Sequence, residues 1–188
     1  MQAIDTTVER PIQEPAGVLH QVSGEIDIFD YRRMKEAKLL SQKMCGVAWP
    51  LRGLGLAAPQ VGVLTRMFIF LEGDNPRYTT CINPSFEPLG DEMVTTDEGC
   101  LSVEGGKKYI PVERHKEVRA TWFDLRGNRL IKTLRGEDSI VFQHEYDHLE
   151  GRTILGDEHL DVQSGEVPVG DEGHVPVLTL AEDAVTDR

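Results

Sequence analysis

Across residues 31–47 the apolar side chains Tyr31, Met34, Ala37, Leu40, Met44 and Val47 recur at intervals of three or four. That spacing lays them along one face of a helix. Trp49-Pro50 ends it, because the residue before a proline avoids helical geometry. The pattern then changes. Residues 66–71 (RMFIFL) and 78–82 (YTTCI) are short apolar runs rich in strand formers, the second closed by Asn83-Pro84. Val118, Ala120 and Trp122 alternate with Arg119 and Thr121, as in a half-buried strand. A turn at 125–128 leads into 129–134, so a hairpin is predicted. Helix returns near Asp138 or Ser139, either of which can cap it, and Gly151 suits its C-terminal stop. Short strands, few helices and no βαβ alternation predict an α+β fold with antiparallel or mixed β-sheets.

At 188 residues the chain fits one domain with a sizeable core, and its 39% hydrophobic and 28% charged content is ordinary for a soluble globular protein. Residues 1–24 are polar, carry Pro11, Pro15, Gly17 and Gly24, and read as an extended arm before a main domain at 25–156. Residues 157–188 hold nine acids and one base, so −8 of the net charge of −12 lies there. This acidic segment is expected to solubilise, with 175–180 as a possible edge strand. The acidic balance gives no electrostatic footprint for nucleic acid or anionic lipid. No apolar run approaches the roughly 18 to 20 residues of a membrane span. The first residues lack a basic n-region and an apolar h-region, so no signal peptide is expected and the cytoplasm is the default compartment.

Candidate chemistry begins at residues 143–151, QHEYDHLEG. On a helix His144 and His148 share a face and reach one ion together, with Glu145 placed to take a proton from bound water. A hydrolytic site also needs a third protein ligand and an open position. Gly151 obeys the metzincin pattern, but residue 154 is Ile where that pattern needs His, so that reading fails. Glu166 and Glu172 lie at the range of a thermolysin-like glutamate, yet among glycines and prolines that make poor helix. Cysteine remains. Cys100, next to Gly99 in a turn between strand-like runs, can present its sulfur to the helix. Cys45 and Cys81 read better as small apolar residues. Spacing alone leaves all three cysteines open.

Three stretches together resemble the peptide deformylase family: residues 53–60 (GLGLAAPQ), 98–102 (EGCLS) and 143–148 (QHEYDH). The likeness covers about residues 18 to 156. It implies sheets around a central metal-binding helix that carries HExxH. It implies metal ligands Cys100, His144 and His148, with Glu145 as general acid/base. Gln60 and the backbone N–H of Leu101 would be the oxyanion donors. The implied cofactor is one divalent ion, natively Fe²⁺ and replaceable by Zn²⁺, Ni²⁺ or Co²⁺. The implied substrate is the formyl-methionine that starts nascent peptides, which loses its N-formyl group. A deformylase-like metalloamidase acting on another formylated compound is the alternative.

Gly53 and Gly55 are expected to leave backbone free for an extended peptide to pair with. Lys107 stands where the family usually has an arginine that holds the substrate backbone. Glu104-Gly105-Gly106 replaces the family's frequent proline two places after the serine, and Glu137-Asp138-Ser139 replaces a more apolar lead-in to the third motif. Many bacterial members end in a basic helix that docks on the ribosome. Ribosomal RNA would repel this acidic C-terminus.

Overall fold

Asp30 opens the first helix, α1 (Tyr31–Ala48), by accepting from the N–H groups of Arg32 and Arg33 at 2.7 and 3.4 Å. Ala37, Leu40, Met44 and Val47 form its buried face, as the spacing predicts, but Tyr31 of the same series is exposed at the helix start and Met34 is only half-buried. The computed structural model describes residues 10–156. The acidic segment 157–188 with its expected strand at 175–180 lies outside the described residues, as do residues 1–9 of the arm.

Seven strands follow: β1 (Gly55–Ala57), β2 (Met67–Leu71), β3 (Tyr78–Pro88), β4 (Met93–Gly99), β5 (Tyr109–His115), β6 (Glu117–Phe123) and β7 (Arg129–Arg135). The second helix, α2 (Glu137–Leu149), comes after them. Five strands make one sheet in the order β1-β2-β3-β6-β7, and β4 pairs with β5 in a second. All these pairings are antiparallel. The α+β expectation holds, and between antiparallel and mixed sheets the strands are antiparallel.

The larger sheet is covered on both faces. In β2, Met67 and Ile69 join the core that contains Leu40 and Met44 of α1. Phe68 and Phe70 point the other way and join Phe142 and Leu149 of α2. The two-residue side-chain period of a strand divides one apolar run between two cores. Phe142 meets Phe68 and Phe70 edge to face, with ring centroids 5.0 and 5.7 Å apart. The opposite side of α2 faces the two-stranded sheet: the side-chain amide of Gln143 accepts from the His115 N–H at 3.0 Å and donates to the His115 carbonyl at 2.8 Å. Thus α2 lies between the two sheets.

Three local expectations change, and two strands appear that the sequence pattern does not predict. The strand expected to close at Asn83-Pro84 continues to Pro88 through a register shift between Ile82 and Ser85. Asn83 takes a positive φ of 47° there and bonds both backbone groups of Ile26, while Pro84 has no N–H to leave unpaired. Neither Asp138 nor Ser139 caps α2, which starts at Glu137 after Gly136. Asp138 instead accepts from the Gly73 N–H at 2.9 Å, and Ser139 donates to the His115 carbonyl at 2.9 Å. Strands β4 and β5 carry no clean apolar alternation, since one face of each is exposed and Pro111 interrupts β5. Finally, the described part of the arm is docked on the body. Leu19 is fully buried, and the N–H groups of Ile12 and Glu14 donate to the carbonyls of Gln60 and Ser102, each at 2.8 Å. Backbone bonds of this kind leave no trace in composition.

Candidate metal centre and active site

Helix α2 sets His144 and His148 one turn apart, and the end of β4 delivers Cys100 to them. One ligand atom from each of Cys100, His144 and His148 falls within 4.8 Å of the others. The Cys100 sulfur lies 3.3 Å from Nε2 of His148. Cys45 is half-buried on α1 and Cys81 is buried in β3; neither joins this cluster. Of the three cysteines that spacing leaves open, Cys100 is the one that lies with the two histidines.

The histidines are held differently. Nδ1 of His144 pairs with Oε2 of Glu98 at 2.8 Å, which leaves the other ring nitrogen to serve as a ligand. Glu98 is gripped in turn by Arg114, whose Nε and Nη2 donate to its two oxygens at 2.8 and 2.9 Å. Arg114 also donates to Asp147 of α2. Burial alone would raise the Glu98 carboxyl, but Arg114 and His144 outweigh it and hold the group down at about 2. Burial, followed by the charges of His144 and Arg114, keeps His148 well below its ordinary value, so its ring is neutral. Burial also opposes charge on His144, yet its bonds with Cys100 and Glu98 push it up to about 10. The local field therefore favours a cation at the point where the three ligand atoms converge. A sulfur, a neutral imidazole and an imidazole backed by a carboxylate are the donor chemistry of zinc or ferrous iron, not of magnesium or calcium. The residues fit a divalent metal.

Glu145 is almost fully buried beside this cluster, and its Oε2 has no hydrogen-bond partner among the described residues. Burial pushes its carboxyl up to about 7, against the opposing charges of His144 and Arg114. Room for it comes from Gly55, where an added Cβ would sit 2.4 Å from Oε1 of Glu145. Gly53 is equally tight: a Cβ there would lie 2.8 Å from the Leu101 side chain, and its carbonyl accepts from the Tyr78 hydroxyl at 2.6 Å.

Gln60 is buried with its amide orientation dictated. Its Oε1 accepts from the Ala57 N–H at 2.7 Å, so Nε2 faces Ser102 Oγ at 3.1 Å and the Cys100 sulfur at 3.7 Å. The amide N–H of Leu101 meets no acceptor among the described residues.

A cavity of about 520 Å³ opens over these groups. On one side lies β1, an outer strand of the larger sheet; on the other lies β4, which among the described residues pairs only with β5. Both strands offer an open edge to an extended chain. Gly53, Gly55, Gln60, Leu101 and Glu145 line the cavity, with Ile140 and Val141 as an apolar wall. Lys107 is exposed and lies outside that lining, whereas Arg52 and Lys116 contribute to it. Arg114, the Tyr78 hydroxyl and the role of Glu98 are not predicted by the sequence. Glu98 was visible within the second motif; the other two act through register and packing, and carry no spacing signal.

The family model for polypeptide deformylase matches residues 9–161. Peptide deformylase 1B, chloroplastic/mitochondrial, of Arabidopsis thaliana is 35% identical over 79% of this chain, a stretch that spans 55% of that protein's length. Peptide deformylase 1 of Bordetella pertussis is 37% identical over 71% of this chain and 78% of its own. The crystal structure of peptide deformylase from Thermotoga maritima superposes with a TM-score of 0.70 at 31% identity, over 78% of this chain and 95% of that one. A family match that contains all three motifs, together with a shared fold and a convergent Cys-His-His cluster, leads to one conclusion: the chain belongs to the polypeptide deformylase family.

Proposed function

We propose that the chain is a metal-dependent amide hydrolase that removes the N-formyl group from the N-terminal formyl-methionine of nascent peptides. The observation that carries this reading is the convergence of Cys100, His144 and His148 beside a buried, partnerless Glu145. Cys100, His144 and His148 hold the ion, which is natively Fe²⁺ and replaceable by Zn²⁺, Ni²⁺ or Co²⁺. Bound there, it supplies Lewis acidity and brings the pKa of water toward about 7. Glu145, with its own carboxyl near 7, accepts the proton of the attacking water and returns it to the departing amine. Gln60 Nε2 and the Leu101 N–H donate to the formyl oxygen as it gathers negative charge, where losing one donor typically costs about 10²–10³ in rate. The peptide lies as an added strand between the edges of β1 and β4. Its methionine packs on Ile140 and Val141, and the closed end beside Glu145 admits a formyl group but not a larger acyl group.

Among the described residues no helix is long and apolar enough to cross a membrane. The reading puts the enzyme in the cytoplasm, acting on formylated peptides as they leave the ribosome. A second reading, hydrolysis of another formylated compound, is favoured by one observation: Glu137 lines the cavity beside Ile140. A substrate panel separates the two. Anaerobically purified, metal-analysed protein should cleave formyl-Met-Ala-Ser faster than acetyl-Met-Ala-Ser and faster than formylated amines that lack methionine. Preference for a non-peptide formamide would establish the second reading. Cys100→Ala, His144→Ala and His148→Ala should each lose the ion while Cys45→Ala and Cys81→Ala keep it; full metal retention in Cys100→Ala would remove it from the ligand set.

A further inference from the structure

The segment that follows Cys100 holds two adjacent glycines and a run of left-handed backbone. Glu104, Gly105 and Gly106 take positive φ angles of 49°, 64° and 80° in succession. Two adjacent glycines leave that stretch with little intrinsic stiffness. Immediately before it stands the Leu101 N–H, whose direction matters if it is to meet a developing oxyanion. The peptide plane that carries this N–H also carries the Cys100 carbonyl, which accepts from the Val103 N–H at 2.9 Å. The next plane carries the Leu101 carbonyl, and its only hydrogen-bond donor among the described residues is the side chain of Gln13.

Gln13 reaches both ends of the pliable stretch. Its Nε2 donates to the Leu101 carbonyl at 2.9 Å, and its Oε1 accepts from the Gly105 N–H at 2.9 Å. Nε2 also donates to the Pro11 carbonyl at 3.0 Å, which fixes the amide's orientation. The residues on either side anchor it to the same region: Ile12 N–H donates to the Gln60 carbonyl, and Glu14 N–H to the Ser102 carbonyl, each at 2.8 Å. One short segment therefore touches the backbone of both oxyanion-donor residues, Gln60 and Leu101.

We infer that Gln13 is a positioning residue for catalysis, a two-armed clip that holds the 101–105 loop so that the Leu101 N–H keeps its direction toward the reacting carbonyl. The clip takes the place of the stiffness that Glu104-Gly105-Gly106 lacks. It touches neither substrate nor metal; Gln13 is exposed and contributes only through Leu101 and Gly105. The inference rests on the deformylase reading, because only a hydrolytic reaction makes the orientation of that N–H matter.

The test uses the full chain with metal bound. Gln13→Met removes both arms at similar side-chain length. Gln13→Glu keeps the acceptor for Gly105 but places a carboxylate against the Leu101 carbonyl. Both variants should lower kcat on formyl-Met-Ala-Ser by roughly three- to tenfold, the scale of one or two net hydrogen bonds. KM should stay within about twofold and metal content should remain at the wild-type level, since neither the peptide groove nor the ligands are touched. A purely structural role would instead lower metal content or the thermal midpoint in step with activity. Wild-type kcat in both variants, or loss of activity that tracks loss of metal, would overturn the assignment. Inactivity of the wild-type, metal-loaded protein on the same peptide would indicate failure of the deformylase reading itself.

Discussion

Single residues decide whether the centre is assembled, and two of them are tested by small changes. Gly55 is a glycine because Glu145 occupies the space that a Cβ would take, 2.4 Å from Oε1. Gly55→Ala should therefore displace the carboxylate while leaving Cys100, His144 and His148 in place. A shift on the order of 1 Å can cost about 10²-fold in rate. The expected result is full metal content with kcat reduced by that order, read by metal analysis beside steady-state kinetics. Glu98 acts one step further out by orienting His144 and neutralising Arg114. Glu98→Gln should weaken metal affinity by roughly 10- to 100-fold, as loss of a carboxylate behind a ligating histidine typically does. Competition with a chelator measures it; an unchanged affinity would show that the Glu98–His144 bond is incidental. The HExxH spacing made His144, Glu145 and His148 legible in sequence. Cys100 was not legible from spacing, because any of three cysteines could be carried to the helix by the fold. The second motif singled it out, and the turn after β4 places it there.

At the level of elements, helix ends and tight approaches carry the predictions. Gly151 follows α2 with φ 70°, and a Cβ on it would meet the backbone of His20 at 2.8 Å. Gly151→Ala therefore combines left-handed strain with a clash against a docked segment that cannot yield cheaply. Strain of this kind costs about 1–2 kcal/mol per residue before the clash is counted, so the thermal midpoint should fall by several degrees. An unchanged midpoint would show that the 19–24 stretch moves aside freely. Among the elements legible in the sequence, α1 and β6 show a clear period of buried positions, while β2 and β3 show as runs of strand formers. Strands β4 and β5 escaped because their ladder is half exposed. In β5 Pro111 interrupts the run, tolerated because among the described residues that strand pairs only with β4. The start of α2 was misplaced because Asp138 and Ser139, good caps by type, are used for tertiary bonds to Gly73 and His115.

At the largest scale, the described fold holds one helix between two sheets and, among the described residues, leaves a strand edge open on each side of the Cys100-His144-His148 cluster. The three motifs announce the chemistry. The sheet edges, the Arg114–Glu98 support and the N-terminal clip belong to tertiary pairing that no local pattern encodes. The central claim is that Glu145, not itself a ligand, moves the proton in a metal-dependent hydrolysis. It is tested most directly by loading the wild type and Glu145→Gln with metal under anaerobic conditions, then measuring ion stoichiometry and kcat on formyl-Met-Ala-Ser together. The account predicts one ion per chain in both proteins, turnover in the wild type, and a loss of at least about 10²-fold in the variant. Near-wild-type turnover by fully loaded Glu145→Gln, or no turnover by the fully loaded wild type, would contradict it.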